Sequence, residues 1–123
     1  MFAKSTERVF VYGTLRRGGA NAGLLKQALY LGEWHTQAGY RLFDCGSYPG
    51  AMERGGLSLT GEVYAVSQKI FRRLDVLEGY PRLYTRKRIA TSWGQAWVYL
   101  LRRRPFSARA MACGDWMAHN QSS

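Results

Sequence analysis

Apolar and polar residues along this 123-residue chain mostly alternate with a period of two, and in one clear stretch the period changes to that of a helix. Val9-Phe10-Val11-Tyr12 is a β-branched and aromatic run of the kind that packs inside a sheet, and it stops at Gly13. Leu57 to Val66 sets Leu57, Leu59, Gly61, Val63 and Ala65 against Ser58, Thr60, Glu62 and Tyr64. That alternation predicts a strand, with Gly61 marking a bulge or sharp bend. Leu83 to Thr91 predicts a strand with one wet face, and Gln95 to Leu101 its hairpin partner across a turn at Trp93-Gly94. The aromatic-rich stretch from Leu31 to Asp44 predicts one or two more strands. Cys45-Gly46-Ser47-Tyr48-Pro49-Gly50 and Arg54-Gly55-Gly56 carry turn chemistry and read as loops.

The helical period belongs to Ile70, Phe71, Leu74 and Leu77, which share one face. Ser67 is placed to cap this helix, Gly79 to stop it, and Pro81 to keep it from resuming. Ala20 to Tyr30, with Leu24, Leu25, Ala28 and Leu29, predicts a second short helix. Pro105 ends the last strand; Trp116 reads as a packing anchor, and a polar tail begins at about residue 117. The sum is one α+β domain over residues 1–123: a small mixed β-barrel or strongly curved sheet with two short helices.

Composition narrows the function classes. With 46% hydrophobic and 14% aromatic residues, the chain has the makings of a real core. No apolar run approaches the roughly 18 residues that span a bilayer, and Met1 to Arg8 lacks the apolar stretch of a signal peptide, so a cytoplasmic setting is expected. Cys45 and Cys113 are far apart, without metal-like spacing, and read as reduced thiols; His35 and His119 add no ligand cluster. The formal charge of +10 comes mainly from arginine, 14 Arg against 4 Lys. It admits an anionic partner such as RNA, but the charges are scattered as pairs and one triplet, Arg102-Arg103-Arg104, with no nucleic-acid motif. A solvated basic surface is the preferred reading.

Two stretches carry candidate chemistry. Glu78 falls at the C-terminal end of the predicted helix, where the helix dipole disfavours a carboxylate. Gly13-Thr14-Leu15-Arg16-Arg17-Gly18-Gly19 is a glycine-bounded loop after a strand, in which backbone N–H groups can turn toward an anion. It matches neither the phosphate-binding loop of nucleotide hydrolases nor the dinucleotide fingerprint.

Val11-Tyr12-Gly13-Thr14-Leu15-Arg16 and Leu74-Asp75-Val76-Leu77-Glu78-Gly79-Tyr80-Pro81 together resemble the gamma-glutamylcyclotransferase-like family. Tyr48-Pro49-Gly50, Gly61-Glu62-Val63-Tyr64, Tyr84-Thr85-Arg86 and Ala96-Trp97-Val98-Tyr99 extend the resemblance over almost the whole chain, in family order. The chain is most similar to the short bacterial members and the gamma-glutamylamine cyclotransferases. The resemblance implies a small barrel with a cavity, in which the loop from Tyr12 through Gly13 and Thr14 to Leu15 holds a gamma-glutamyl group and Glu78 points into the same space. The implied reaction is attack of the substrate's α-amine on its own γ-carbonyl, releasing 5-oxoproline and an amine, with no metal or cofactor. One carboxylate can accept the proton of the attacking amine and return it to the departing nitrogen. A glutamate at an ordinary value of about 4.3 is poorly matched to an amine near 8, so Glu78 is expected to be raised by burial and by the helix end. Arg16 is a candidate partner for the substrate α-carboxylate or a solvated loop arginine, and Tyr84 a cavity wall or a core aromatic; Tyr48 has the same two readings, with packing preferred. The alternative to an enzyme is a non-catalytic module on the same fold that binds a small ligand or RNA.

Overall fold

The apolar run ending at Tyr12 is central to the larger of two sheets. Strand β1 (Thr6–Val11) runs antiparallel to β5 (Thr60–Ser67) and parallel to β7 (Gly94–Leu101). Beyond them, β2 (Leu29–His35) pairs with β5 and β6 (Tyr84–Thr91) with β7, giving the order β2-β5-β1-β7-β6. A smaller sheet has the order β4-β3-β8, from β3 (Tyr40–Asp44), β4 (Pro49–Glu53) and β8 (Arg109–Ala110). Helix α1 (Gln68–Leu77) follows β5 directly, and α2 (Trp116–Gln121) ends the structure, a computed structural model that describes residues 6–121.

Because strand side chains alternate in direction, β1 builds two cores. Val9 and Val11 pack with Ile70, Phe71 and Leu74 of α1, while Phe10 and Tyr12 pack with Leu42 and Ala51 of the smaller sheet and with Trp116 of α2. Phe10 and Leu74 are 1% and 0% exposed, so the two cores are closed to water on either side of one strand. Gly61 permits this closeness: a Cβ there would meet the Val11 carbonyl oxygen at 2.2 Å.

Mixed α+β architecture is as expected, but among the described residues the ladders form two open sheets and not a closed barrel. The hairpin of β6 and β7 has continuous register from Tyr84↔Leu101 to Thr91↔Gly94. The helix expected over Ala20–Tyr30 is reduced to a 3₁₀ turn at Ala22–Leu25, because Leu29 and Tyr30 pair with Ala65 and Tyr64 as the start of β2. Cross-strand pairing overrides local helix preference there, at the cost of leaving Leu29 64% exposed. The Pro49-Gly50 pair, expected within a loop, instead opens β4. A proline is tolerated because β4 is an edge strand, and Gly50 lies where a Cβ would collide with Leu101 at 2.1 Å.

The expected polar tail from about residue 117 is in part helical, while Trp116 packs into the core as expected. Asp115 accepts the Ala118 N–H at 3.1 Å and starts α2, whose Trp116 is buried at 2% exposure. A helix of six residues is too short to display a period. Among the described residues no helix is long and apolar enough to cross a membrane, no group of His, Cys, Asp and Glu could hold a metal ion, and Cys45 and Cys113 are free thiols.

Candidate active site

Helix α1 delivers Glu78 through its two ends. Ser67 accepts the Ile70 N–H at 3.2 Å, starting the helix where the sequence pattern placed it. At the other end Gly79 takes φ +63°, a left-handed conformation that suits glycine. Gly79 then donates to the Val76 carbonyl at 3.1 Å and Tyr80 to the Asp75 carbonyl at 2.9 Å, a paired closure that satisfies the last carbonyls of the helix. Glu78 is the residue between helix and closure. Its position is set by backbone bonds on both sides.

Its side chain faces a cavity of about 320 Å³, walled by the loop from Tyr12 to Leu15, the turn Ser47–Pro49, the end of α1 and the strands carrying Tyr84 and Tyr99. Glu78 is partly buried, and among the described residues its carboxylate has no hydrogen-bond donor and no cation. Burial alone therefore decides its acidity, and raises it from an ordinary value near 4.5 to about 7. A neutral carboxyl is favoured because water is excluded and nothing replaces it.

Opposite Glu78, the loop after β1 turns back on itself. Arg16 donates its N–H to the Gly13 carbonyl at 3.1 Å and Asn21 donates to the Thr14 carbonyl at 2.9 Å. Gly13 lies so close to the Pro49 ring that a Cβ would meet it at 2.6 Å. Within this tight loop the N–H groups of Gly13, Thr14 and Leu15 find no acceptor among the described residues, and all three residues line the cavity. The Thr14 hydroxyl oxygen accepts from the Asn21 amide at 2.9 Å, which leaves the Thr14 hydroxyl proton to be donated elsewhere. These groups form a candidate donor wall, in residues that line the same cavity as the lone Glu78 carboxyl.

The tyrosines build the frame. The Tyr84 hydroxyl donates to the Pro49 carbonyl at 2.9 Å and the Tyr99 hydroxyl to Asp75 at 2.6 Å, and burial raises both phenols, as it does Tyr12. Each phenol is protonated and already engaged, so these side chains shape the cavity.

Glu78, Tyr12, Gly13, Thr14, Leu15 and Tyr84 are thus brought together around one cavity. Arg16 is not. It is buried, and its guanidinium holds Asp115 at 2.8 Å and lies 3.7 Å from Glu62, on the far side of the loop. The free guanidinium needed for an α-carboxylate partner is therefore missing at Arg16. Glu62, which the alternation placed on the polar side of its strand, is buried there, accepting the Arg17 N–H and the Tyr64 hydroxyl, each at 2.9 Å. Tyr48, for which packing was preferred, reaches the cavity wall, as do Asn21, Ser47, Leu77, Leu83 and Tyr99. Nothing in the local pattern marks Tyr99 or Asn21: one sits in an apolar strand, the other seven residues beyond Thr14 in a stretch that reads as a helix.

The chain matches the family described as gamma-glutamyl cyclotransferase, AIG2-like, over residues 9–118. A Vibrio cholerae relative, named provisionally as a gamma-glutamylcyclotransferase, is 42% identical over 108 residues, covering 88% of this chain and 93% of its own. The gamma-glutamylcyclotransferase family protein YtfP of Escherichia coli is 34% identical over 110 residues, covering 89% of this chain and 96% of its own, and the solution structure of Escherichia coli ytfP superposes with a TM-score of 0.74 over 92% of this chain and 98% of its own. The crystal structure of an uncharacterised protein from Pyrococcus horikoshii superposes with a TM-score of 0.81 at 30% identity, over 94% of each chain.

Proposed function

This chain belongs to the gamma-glutamyl cyclotransferase, AIG2-like family, and on that premise we propose that it converts a small gamma-glutamyl amine to 5-oxoproline and the free amine. The observation that carries the reading is the unpartnered, partly buried Glu78 carboxyl, raised to about 7, across one cavity from the unpaired N–H groups of Gly13, Thr14 and Leu15.

In this reading the α-amine nitrogen attacks the γ-carbonyl carbon and Glu78 takes the proton that the nitrogen gives up. The bond formed closes a five-membered ring, and negative charge gathers on the former carbonyl oxygen. The N–H groups of the Gly13 to Leu15 loop stabilise that oxyanion, being fixed in place before the charge develops. As the bond to the leaving nitrogen breaks, Glu78 returns the proton to it. A carboxyl near 7 serves both steps far better than one near 4.5, since its affinity for the proton lies close to that of the amine. Tyr84 and Tyr12 wall the cavity, and Thr14 offers its hydroxyl proton to the substrate. Arg16 keeps the loop in shape from behind and does not touch the substrate.

The test is release of 5-oxoproline from a panel of gamma-glutamyl amines, peptides and lysine isopeptides by the wild type and by Glu78→Gln. Loss of about 100-fold or more in kcat is expected for the variant on any substrate that the wild type turns over. Activity that persisted in Glu78→Gln would remove the proton-transfer role.

A further inference from the structure

Arg86 lies outside the cavity lining, yet it touches both arms of the turn that carries Glu78. One arm is Asp75, whose carboxylate is 3.2 Å from the Arg86 guanidinium. The other is Tyr80, whose ring centroid is 4.1 Å from the guanidinium carbon. These are also the two residues joined by the bond from the Tyr80 N–H to the Asp75 carbonyl that closes the helix. Phe71 and Trp97 flank the same guanidinium at 4.5 and 4.7 Å, which fixes its plane. The Arg86 Nε is buried without a hydrogen-bond partner. An apolar side chain would fill this slot without leaving a donor unpaired, so the charge there calls for another account.

We infer that Arg86 and Asp75 form a clamp that positions Glu78, holding the closing turn so that the carboxyl stays in the cavity and out of water. Asp75 extends the clamp to the opposite wall. It accepts the Tyr99 hydroxyl at 2.6 Å, and the Tyr99 carbonyl in turn accepts the Tyr12 hydroxyl at 2.8 Å. The glutamate turn and the Gly13 loop are therefore registered to each other through three side chains. Arg86 is a positioning residue, and its effect passes through the turn and not through substrate. The other titratable groups that line the cavity and sense Glu78 are Tyr12, just beyond β1, Tyr84 of β6 and Tyr99 of β7.

The inference rests on the cyclotransferase reading only for its rate measurement. Arg86→Gln, Arg86→Lys and Asp75→Asn are compared with the wild type by carbon-13 NMR titration of Glu78, by kcat and KM on a gamma-glutamyl amine, and by thermal unfolding. In Arg86→Gln and Asp75→Asn the titration of Glu78 moves from about 7 toward the ordinary glutamate range. In the same variants kcat falls about 10- to 100-fold with KM changed by less than about threefold, the signature of a displaced catalytic group. Arg86→Lys keeps the ion pair without the flat stack and recovers part of both. A lower melting temperature with wild-type Glu78 titration and wild-type kcat would overturn the clamp and leave Arg86 a purely structural residue. If the wild type turns over no gamma-glutamyl compound, the proposed reaction fails, while the Glu78 titration in the same variants still decides the clamp.

Discussion

The Tyr12 hydroxyl donates to the Tyr99 carbonyl at 2.8 Å and accepts the Ala51 N–H at 2.9 Å, so one phenol of the cavity wall ties β7 to β4. Tyr12→Phe keeps the ring and breaks both bonds, stranding a buried donor and a buried acceptor. A loss of about 1–3 kcal/mol is expected, read as a lower midpoint in urea. An unchanged midpoint would show that the frame does not depend on these bonds.

Stability should fall with pH through the range set by Glu78. Its folded value, about 7, lies above the ordinary 4.5, so folding favours the protonated form. The contribution is fully present below about 4.5 and is lost as pH rises through about 7. Ionising Glu78 in the folded state then costs up to about 3 kcal/mol, at about 1.4 kcal/mol per unit. Glu78→Gln lacks this component and should be the more stable protein at pH 8 but not at pH 4. Parallel stability curves for the two proteins would contradict the raised value. For the active enzyme, kcat/KM should rise with pH through about 7 as the base ionises.

Gly13→Ala should damage the donor wall. Its Cβ would sit 2.6 and 2.8 Å from the Pro49 ring, and the loop or β4 must move to admit it. A stability loss of about 1–3 kcal/mol is expected, with a larger fall in activity. Gly23→Ala is the control, since nothing lies within 4 Å of the added methyl; it should be neutral or slightly stabilising in the same assays.

Arg16→Met separates two roles for the arginine. Removing the guanidinium leaves Asp115 and the buried Glu62 without their cation, and a loss of about 3–5 kcal/mol is expected from the unpaired charge. KM should change little where the variant is still folded. A large rise in KM with native stability would restore Arg16 as the partner of the substrate α-carboxylate.

Glu78 and the loop from Gly13 to Leu15 were legible because each breaks a local rule in a visible way. Glu78 is a carboxylate at the wrong end of a helix whose cap, face and stop can all be read from neighbouring residues. The loop interrupts an apolar strand with glycine. Arg16 lies in the same motif and looks equally functional, but its direction depends on Asp115, 99 positions away, in a helix too short to announce itself. The clamp was invisible for the same reason. Asp75, Arg86 and Tyr99 come from α1, β6 and β7, and a charged residue on a predicted wet face gives no sign that three aromatic rings surround it.

By itself the sequence determined the local grammar: the buried strand ending at Gly13, the capped helix ending at Gly79, the hairpin through Trp93-Gly94 and the family motifs on both sides of the site. These depend on side-chain period, capping and backbone freedom within a few residues. Tertiary structure decided the open sheets, the conversion of Ala20–Tyr30 to a turn and a strand, the short helix that follows Asp115 and the direction of every site side chain. Those outcomes rest on pairing and desolvation between segments distant in sequence. The raised acidity of Glu78 belongs to the second group, because it follows from what the surrounding walls withhold from the carboxyl: water, a donor and a cation.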